Sequence, residues 1–150
     1  MTDDVTRSLI IENARSFDTD RATLFAAFSD PARLEKWWGP HDFTNRIEKF
    51  DFVNGGTWVI VMTSYVGTDF ENHWTFEDIR QDERIVAFHH GPMHAFGLEI
   101  GFHDTDTDAG TRLTWRMSFE DTEDNREIEK FLLAANEQNL DRLETHLSGA

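Results

Sequence analysis

Apolar and polar residues alternate with a period of two through most of the chain between residues 43 and 119. In the segment 96–103, for example, every second residue is large and apolar, and glycine, glutamate or histidine stands between them. Successive side chains of a strand point to opposite faces, so this pattern predicts strands with one apolar face. Six such segments follow one another, and the turn Asn54-Gly55-Gly56 suits a hairpin because these residues tolerate positive φ. Consecutive strands with short turns favour an antiparallel meander.

Helical periodicity appears on both sides of this strand region. After a strand over residues 8–17, Asp20 and Asp30 can cap two short helices, and Pro31 suits the first position of the second. Residues 122–147 carry apolar side chains at spacings of three and four, which predicts one long amphipathic helix. The apolar face of the sheet needs a cover, and only this last helix is long enough. We therefore predict an α+β fold, a single domain over residues 1–150.

Composition adds an unusual aromatic content to this picture. The 150 residues are 39% apolar and 29% charged, which is ordinary for a folded domain, but they include thirteen Phe and five Trp against one Tyr. Phe and Trp bury large areas, either in a packed core or as the lining of an apolar cavity. Neither composition nor periodicity decides between the two.

Charge and cysteine content exclude several function classes. The formal net charge of −15 disfavours binding to nucleic acid or to an anionic membrane surface. There is no cysteine, so disulfides, thiolate catalysis and cysteine-ligated metals are excluded. The first seven residues do not resemble a signal peptide, and no apolar run approaches the ~18 residues of a membrane span. We expect a cytoplasmic protein that has no contact with membranes.

Seven histidines are candidates for metal binding or proton transfer. His73, His89 and His103 lie on different predicted strands and are able to approach one another across the sheet. His89 and His90 are adjacent on one strand, so they point to opposite faces and cannot chelate one metal together. No HExxH motif is present. We therefore favour surface or edge histidines and predict no metal site.

Other chemical motifs are also incomplete. The acidic run 104–110 resembles a calcium loop, but Ala109 stands where the loop needs glycine and Trp115 where it needs a bidentate glutamate. Glu77 and Glu99 alternate with the apolar residues of their strands, so they fall on the polar face of the sheet. This position favours exposure to solvent over a role as acid or base in a pocket. Nucleotide-binding motifs are absent. We predict no catalytic residue and no cofactor.

Several short motifs occur along the chain in an order that is typical of a known family. They are RSF at 15–17, LFAAFSDPARLEKWWGP at 24–40, NGGTW at 54–58, EDI at 77–79, ERIV at 83–86, GTRLT at 110–114 and LDRL at 140–143. Through these motifs the chain resembles the START-like (SRPBCC) superfamily, and within it the group related to the C-terminal domain of the activator of the Hsp-90 ATPase. The resemblance spans roughly residues 8–147 and implies a helix-grip fold, a curved antiparallel sheet around a long C-terminal helix with a cavity between them. It implies no catalytic set.

From this resemblance and the strand parity we predict a non-enzymatic domain that binds a small apolar or amphipathic molecule between sheet and helix. Two alternatives stay open. One is a chaperone-associated interaction protein. The other is an enzyme of the polyketide cyclase or hydrolase type, which needs an ionisable group such as His73, His89 or Glu99 inside the cavity. The predicted ligand-binding residues are Trp58, Ile60, Met62, Trp74, Phe76, Trp115 and Met117 on the sheet, Phe131, Leu132 and Ala135 on the last helix, and Trp37 at the mouth.

Overall fold

The computed structural model describes residues 7–91, 94–105 and 110–149, and it contains the predicted elements in the predicted order. A first strand and two short helices precede six further strands, and two helices end the chain. The elements are β1 (Leu9–Phe17), α1 (Arg21–Ser29), α2 (Pro31–Trp37), β2 (Thr44–Phe50), β3 (Thr57–Thr63), β4 (Asp69–Arg80), β5 (Arg84–Gly91), β6 (Phe96–Asp104), β7 (Thr111–Phe119), α3 (Glu123–Glu127) and α4 (Glu129–Leu147).

The strands form one seven-stranded sheet in the order β1-β7-β6-β5-β4-β3-β2, and every neighbouring pair is antiparallel. The strands β2 to β7 are thus a continuous meander, and β1 adds to its end beside β7. The register places Trp58 opposite Trp74 and Ile100 opposite Trp115, so large apolar side chains meet on one face. The helix-grip architecture predicted from the sequence is confirmed.

The short helices begin where their capping residues predict. Asp20 Oδ1 accepts a hydrogen bond from the backbone N–H of Thr23 at 2.7 Å and starts α1. Asp30 Oδ1 accepts from Ala32 N–H at 3.0 Å and starts α2, with Pro31 in its first turn. Each carboxylate satisfies an N–H group that has no partner within its helix.

The helix α2 is fixed to the edge strand β2 by side-chain hydrogen bonds. The Glu35 carboxylate accepts from the backbone N–H of Ile47 at 2.7 Å. Asn45 Nδ2 donates to the carbonyl oxygens of Glu35 and Trp38 at 3.0 and 2.8 Å. The turn that follows α2 is therefore held against the sheet.

The last helical region is broken, so the prediction of one helix over residues 122–147 is wrong at Ile128. There the backbone leaves the helical hydrogen-bond pattern, with φ −91° and ψ −2°. Thr122 caps α3, and Asn125 Nδ2 donates to the carbonyl of Glu120, which ties α3 to the end of β7. The helix α4 instead follows the sheet, against which Leu140 and Leu143 are fully buried.

Candidate functional site

A cavity of about 310 Å³ lies between the sheet and the first turns of α4. Most of its lining is apolar, and aromatic rings come from the strands, the helix and the turn after α2. The lining residues are Trp38, Gly39, Pro40, Phe43, Met62, Phe70, Asn72, Trp74, His89, Phe96, Leu98, Trp115, Met117, Phe131, Leu132, Ala135, Asn136 and Asn139.

Trp38 separates this cavity from the packed part of the interior. Its ring lies 5.3 Å from that of Trp115, 6.1 Å from Trp74 and 5.0 Å from Trp58. Beyond it lies a void of about 20 Å³, walled by Trp58 and Phe76 among others. That void has room for no more than about one water molecule. The interior is thus divided into a filled half under α1 and α2 and an open half under α4.

Most of the residues predicted to bind a ligand lie around the open half. Met62, Trp74, Trp115 and Met117 form part of its sheet wall, as their parity on the strands predicts. The helix wall contains the predicted residues Phe131, Leu132 and Ala135, and Phe131 is 70% exposed. Whether these residues bind a ligand stays a prediction, but the structure brings them together.

Four of the predicted ligand-binding residues lie away from this cavity and are therefore not part of the candidate site. Trp37 is fully buried, and its Nε1 donates to the carbonyl of Ala27 at 3.1 Å. Ile60 is also fully buried in the core. Trp58 and Phe76 stack on each other at 5.8 Å in the filled half. The alternation along β3 and β4 predicts the correct face of the sheet for Trp58 and Phe76. It does not predict whether a residue on that face lies in the filled half or in the open half.

The turn between α2 and β2 supplies cavity residues that we did not predict. Gly39 has φ +93°, a conformation that favours glycine, and a Cβ atom there would lie 2.7 Å from Met62 Cε. Arg142 on α4 holds this turn by donating to the carbonyls of Trp38, Gly39 and Pro40 at 2.8, 3.2 and 3.0 Å. No sequence signal links Arg142 to this turn, because the contact spans about a hundred residues.

The buried polar residues of the cavity were also missed. Asn136 and Asn139 stand within the apolar stripe of α4, and this interruption of the stripe was the signal that could have shown them. Asn136 Nδ2 donates to Asn13 Oδ1 at 2.9 Å, and Asn139 Nδ2 donates to the carbonyl of Trp37 at 3.2 Å. Both residues are more than nine-tenths buried. The helix wall therefore contains two amide groups in an otherwise apolar surface.

His89 is a buried imidazole in the sheet wall and was predicted to lie at the surface or an edge, which is wrong. Its side chain is packed between the rings of Trp74 and Phe96, at 4.8 and 4.7 Å. Its Nδ1 lies 2.8 Å from the carbonyl oxygen of His94, and its Nε2 lies 2.8 Å from Oδ1 of Asn72. Burial lowers the pKa of His89 below its ordinary value of 6.5, although the hydrogen bond to His94 opposes this.

The other two histidines of the predicted cross-strand group lie on the opposite face of the sheet. His73 is exposed and contacts Glu71 at 2.7 Å, and His103 is exposed and contacts Thr114 at 3.1 Å. His90 likewise faces outward, opposite to His89. Within residues 7–91, 94–105 and 110–149, no group of three or more His, Asp or Glu is placed to hold a metal ion.

The carboxylates considered for acid–base chemistry lie outside the cavity. Glu77 is exposed, and Glu99 pairs with Arg84 at 3.4 Å. Part of the acidic run 104–110 lies outside the described residues, so its prediction as a simple turn is not tested. Among the helices in the described part of the chain, none has the length and apolar character of a membrane span.

Other depressions on the described surface are chemically different from this cavity. Those of about 380 and 360 Å³ are lined largely by charged and histidine side chains, such as Lys36, Asp141 and Arg142 in the first. In contrast, none of the residues that line the 310 Å³ cavity is Asp, Glu, Lys or Arg. This apolar cavity is therefore the candidate binding site.

Comparison with known proteins agrees with this architecture. A family model described as Activator of Hsp90 ATPase homolog 1-like protein matches residues 18–148. No curated protein sequence is significantly similar to the chain.

Solved structures share the fold over nearly the whole chain. A protein from Arthrobacter aurescens is 23% identical with a TM-score of 0.86, and the match covers 95% of this chain and 88% of that one. A protein from Nitrosomonas europaea is 19% identical with a TM-score of 0.80, over 97% of each chain. The AHSA1 protein from Silicibacter pomeroyi is 18% identical with a TM-score of 0.75, over 93% of this chain and 98% of that one.

Proposed function

The chain belongs to the family of Activator of Hsp90 ATPase homolog 1-like proteins, and from that premise we propose that it is a START-like domain that binds a small, largely apolar molecule. The observation that carries this proposal is the apolar cavity of about 310 Å³ between sheet and α4. Pockets for small molecules usually start at about 300 Å³, and a cavity of about 150 Å³ already accepts benzene. A ligand with one to three rings is of the size that this volume accepts.

The lining supports binding through burial of apolar surface. Rings of Trp38, Trp74, Trp115 and Phe96 face a space that protein atoms do not fill, and that surface is removed from water when a ligand enters. Four of the lining side chains, Asn72, His89, Asn136 and Asn139, are polar, and such isolated polar groups orient a ligand in many pockets. The expected ligand is therefore an amphipathic molecule with a dominant apolar part.

A pair of adjacent alanines provides a matched test. Ala135 lines the cavity, whereas Ala134 precedes it on α4 and is exposed. Ala135→Phe places a ring into the cavity, so we expect it to weaken binding of the neutral fluorescent probe N-phenyl-1-naphthylamine at least about tenfold in equilibrium titrations. Ala134→Phe adds the same ring outside and should leave the affinity unchanged.

The proposal is wrong if the wild-type protein shows no saturable increase in probe fluorescence. It is also wrong if both phenylalanine variants change the affinity equally, because the probe then binds elsewhere. Circular dichroism melting of each variant separates an unfolded protein from a blocked cavity. Native mass spectrometry of the purified protein would identify a natural ligand directly.

A second candidate function is an enzyme that acts on the bound molecule, and the position of His89 favours it. This imidazole lines the cavity, and its lowered pKa keeps it neutral and able to accept a proton near pH 7. A molecule recovered from the protein and incubated with it again distinguishes the two functions. An unchanged mass supports binding alone, and a mass change that disappears in His89→Phe supports catalysis.

A further inference from the structure

We propose that the ligand of the cavity is an uncharged aromatic molecule with a hydroxyl group, and that the hydroxyl is bound by the polar residues of both walls. This inference rests on the binding function proposed above and adds the chemical class of the ligand. It follows from three features of the cavity: the absence of lining charge, the unused amide oxygens of α4, and the hydrogen-bond chain around His89.

The first feature excludes a charged ligand. No Asp, Glu, Lys or Arg lines the cavity, so a ligand carboxylate would be buried without a cation. The formal net charge of −15 raises the electrostatic cost of a bound anion further. A ligand cation would equally lack a carboxylate partner in the cavity.

The second feature is a pair of free acceptors on the helix wall. Asn136 and Asn139 each use the side-chain nitrogen in a hydrogen bond, to Asn13 and to the carbonyl of Trp37. Their Oδ1 atoms accept no hydrogen bond from any residue that the structure describes, although both side chains are more than nine-tenths buried. Neither Oδ1 atom is among the fully buried side-chain atoms that lack a partner, so both stay accessible, and a donor on the ligand can take the place of water there.

The third feature is a chain of three contacts on the sheet wall. It runs from the carbonyl oxygen of His94 to His89, from His89 to Asn72, and from Asn72 Nδ2 to the carbonyl oxygen of Phe70 at 2.9 Å. Both ends are carbonyl oxygens, which only accept. A neutral imidazole and an amide supply hydrogens for two of the three contacts. In the remaining contact, two acceptor atoms therefore face each other with no hydrogen between them.

The missing hydrogen comes either from a proton on His89 or from a donor on the ligand. Burial disfavours the imidazolium, and the titratable groups that act on His89, namely His73, His90 and His94, also disfavour a second positive charge. A ligand hydroxyl that donates to His89 Nε2 or to Asn72 Oδ1 binds the acceptor that the chain leaves without a hydrogen, and it adds no charge.

A hydroxyl fits better than a pure donor because tryptophans, whose indole N–H only donates, also line the cavity. Trp38 and Trp115 are two of them, and neither indole N–H has a hydrogen-bond partner among the described residues. A hydroxyl oxygen can accept from an indole N–H while its hydrogen is donated to an amide or imidazole. The indole nitrogen of Trp74 is fully buried, so its N–H cannot donate to a ligand in the cavity.

Three naphthalene compounds of similar size test the inference by isothermal titration calorimetry. 2-Naphthol is neutral with a donor, 2-methoxynaphthalene is neutral without a donor, and 2-naphthoate is an anion. We expect 2-naphthol to bind about tenfold or more tightly than 2-methoxynaphthalene, and 2-naphthoate to bind weakest. Replacing the imidazole in His89→Phe should reduce the preference for 2-naphthol severalfold, and Asn139→Leu should do so independently. His90→Phe, one position along on the outer face, should leave it unchanged.

The outcomes separate this inference from the binding function. If none of the three compounds binds, the proposed binding function fails as well. If 2-methoxynaphthalene or 2-naphthoate binds as tightly as 2-naphthol, binding holds and the inference on the hydroxyl is overturned. It is also overturned if His89→Phe and Asn139→Leu, both folded by circular dichroism, keep the full preference.

Discussion

Burial of the His89 imidazole links the stability of the protein to pH. Because burial lowers its pKa in the folded protein, the unfolded chain binds a proton more readily below its ordinary pKa of 6.5. The free energy of unfolding should therefore be highest above pH 6.5 and fall as the pH drops below it. His146, whose pKa burial also lowers, acts in the same direction.

We expect the urea midpoint of the wild-type protein to fall between about pH 7.5 and pH 5.5. The fall should be smaller in His89→Phe, since only His146 then contributes in this way. In His90→Phe, which changes the exposed neighbour, the fall should match the wild type. An equal fall in wild type and His89→Phe would show that His89 does not titrate in this range.

For single residues, the sequence predicts which face of the sheet a side chain occupies. It does not predict whether that side chain lies in the filled half of the interior or in the cavity wall. Alternation places Trp58, Trp74 and Trp115 on one face of the sheet, and all three are buried there. It does not distinguish Trp58, in the filled half, from Trp74, in the cavity wall, because that difference depends on Trp38 packing between the halves. His89 shows the same limit. His89 has the same parity on β5 as residues that point inward. Because it is polar, however, it does not add to the apolar pattern from which burial is predicted.

At the scale of elements, Arg142 joins α4 to the end of α2. Its guanidinium donates to four carbonyl oxygens, those of Lys36, Trp38, Gly39 and Pro40. The last carbonyls of a helix lack partners within it, so a basic side chain there replaces water. Without Arg142, the turn that carries Trp38 into the cavity wall would lose four of its hydrogen bonds to α4 and would depend on those from Asn139 to Trp37 and from His41 to Gln138.

Arg142→Met should lower the free energy of unfolding by about 2 kcal/mol, because several hydrogen bonds from a charged, half-buried group are lost. It should also weaken binding of N-phenyl-1-naphthylamine, since Trp38 and Gly39 line the cavity. Arg126→Met is the control, because Arg126 is exposed and, among the residues that the structure describes, forms its one ion pair with Asp121. Its loss should cost less than about 0.5 kcal/mol in urea unfolding. Equal losses in both variants would contradict the role of Arg142.

The elements themselves were largely predictable. Helix starts follow from Asp20 and Asp30, and strand bounds follow from the alternation, because caps and parity are local properties. The break at Ile128 was not predictable, since the apolar spacing continues through it.

For the whole molecule, the formal net charge of −15 is the property with the most direct consequence. Repulsion among surplus carboxylates destabilises the compact state, and salt screens it over a Debye length of about 10 Å at 0.1 M. Raising sodium chloride from about 0.02 M to 0.5 M at pH 7 should therefore raise the Tm by a few degrees. Tetramethylammonium chloride should act similarly if screening is the cause. A lower Tm in both salts would show that ion pairs such as Arg15–Glu137 outweigh the repulsion.

The order of β2 to β7 could be predicted because consecutive hairpins leave few other arrangements, whereas the position of β1 beside β7 joins distant parts of the chain and could not. The cavity could not be predicted from periodicity. A packed core and a lined cavity have the same apolar pattern, and they differ in whether side chains such as that of Ala135 are too small to fill the space. Its position was expected only from the family resemblance.

The hydrogen bond from Ile47 to the Glu35 carboxylate also bears on how copies of the protein behave at high concentration. β2 is an edge strand, and an edge N–H without a partner is a template on which a strand of another molecule can add. Glu35 occupies one such N–H from within the same chain, and its negative charge repels the acidic surface of a second copy. The residue that fastens α2 to the sheet thereby also protects that edge against aggregation.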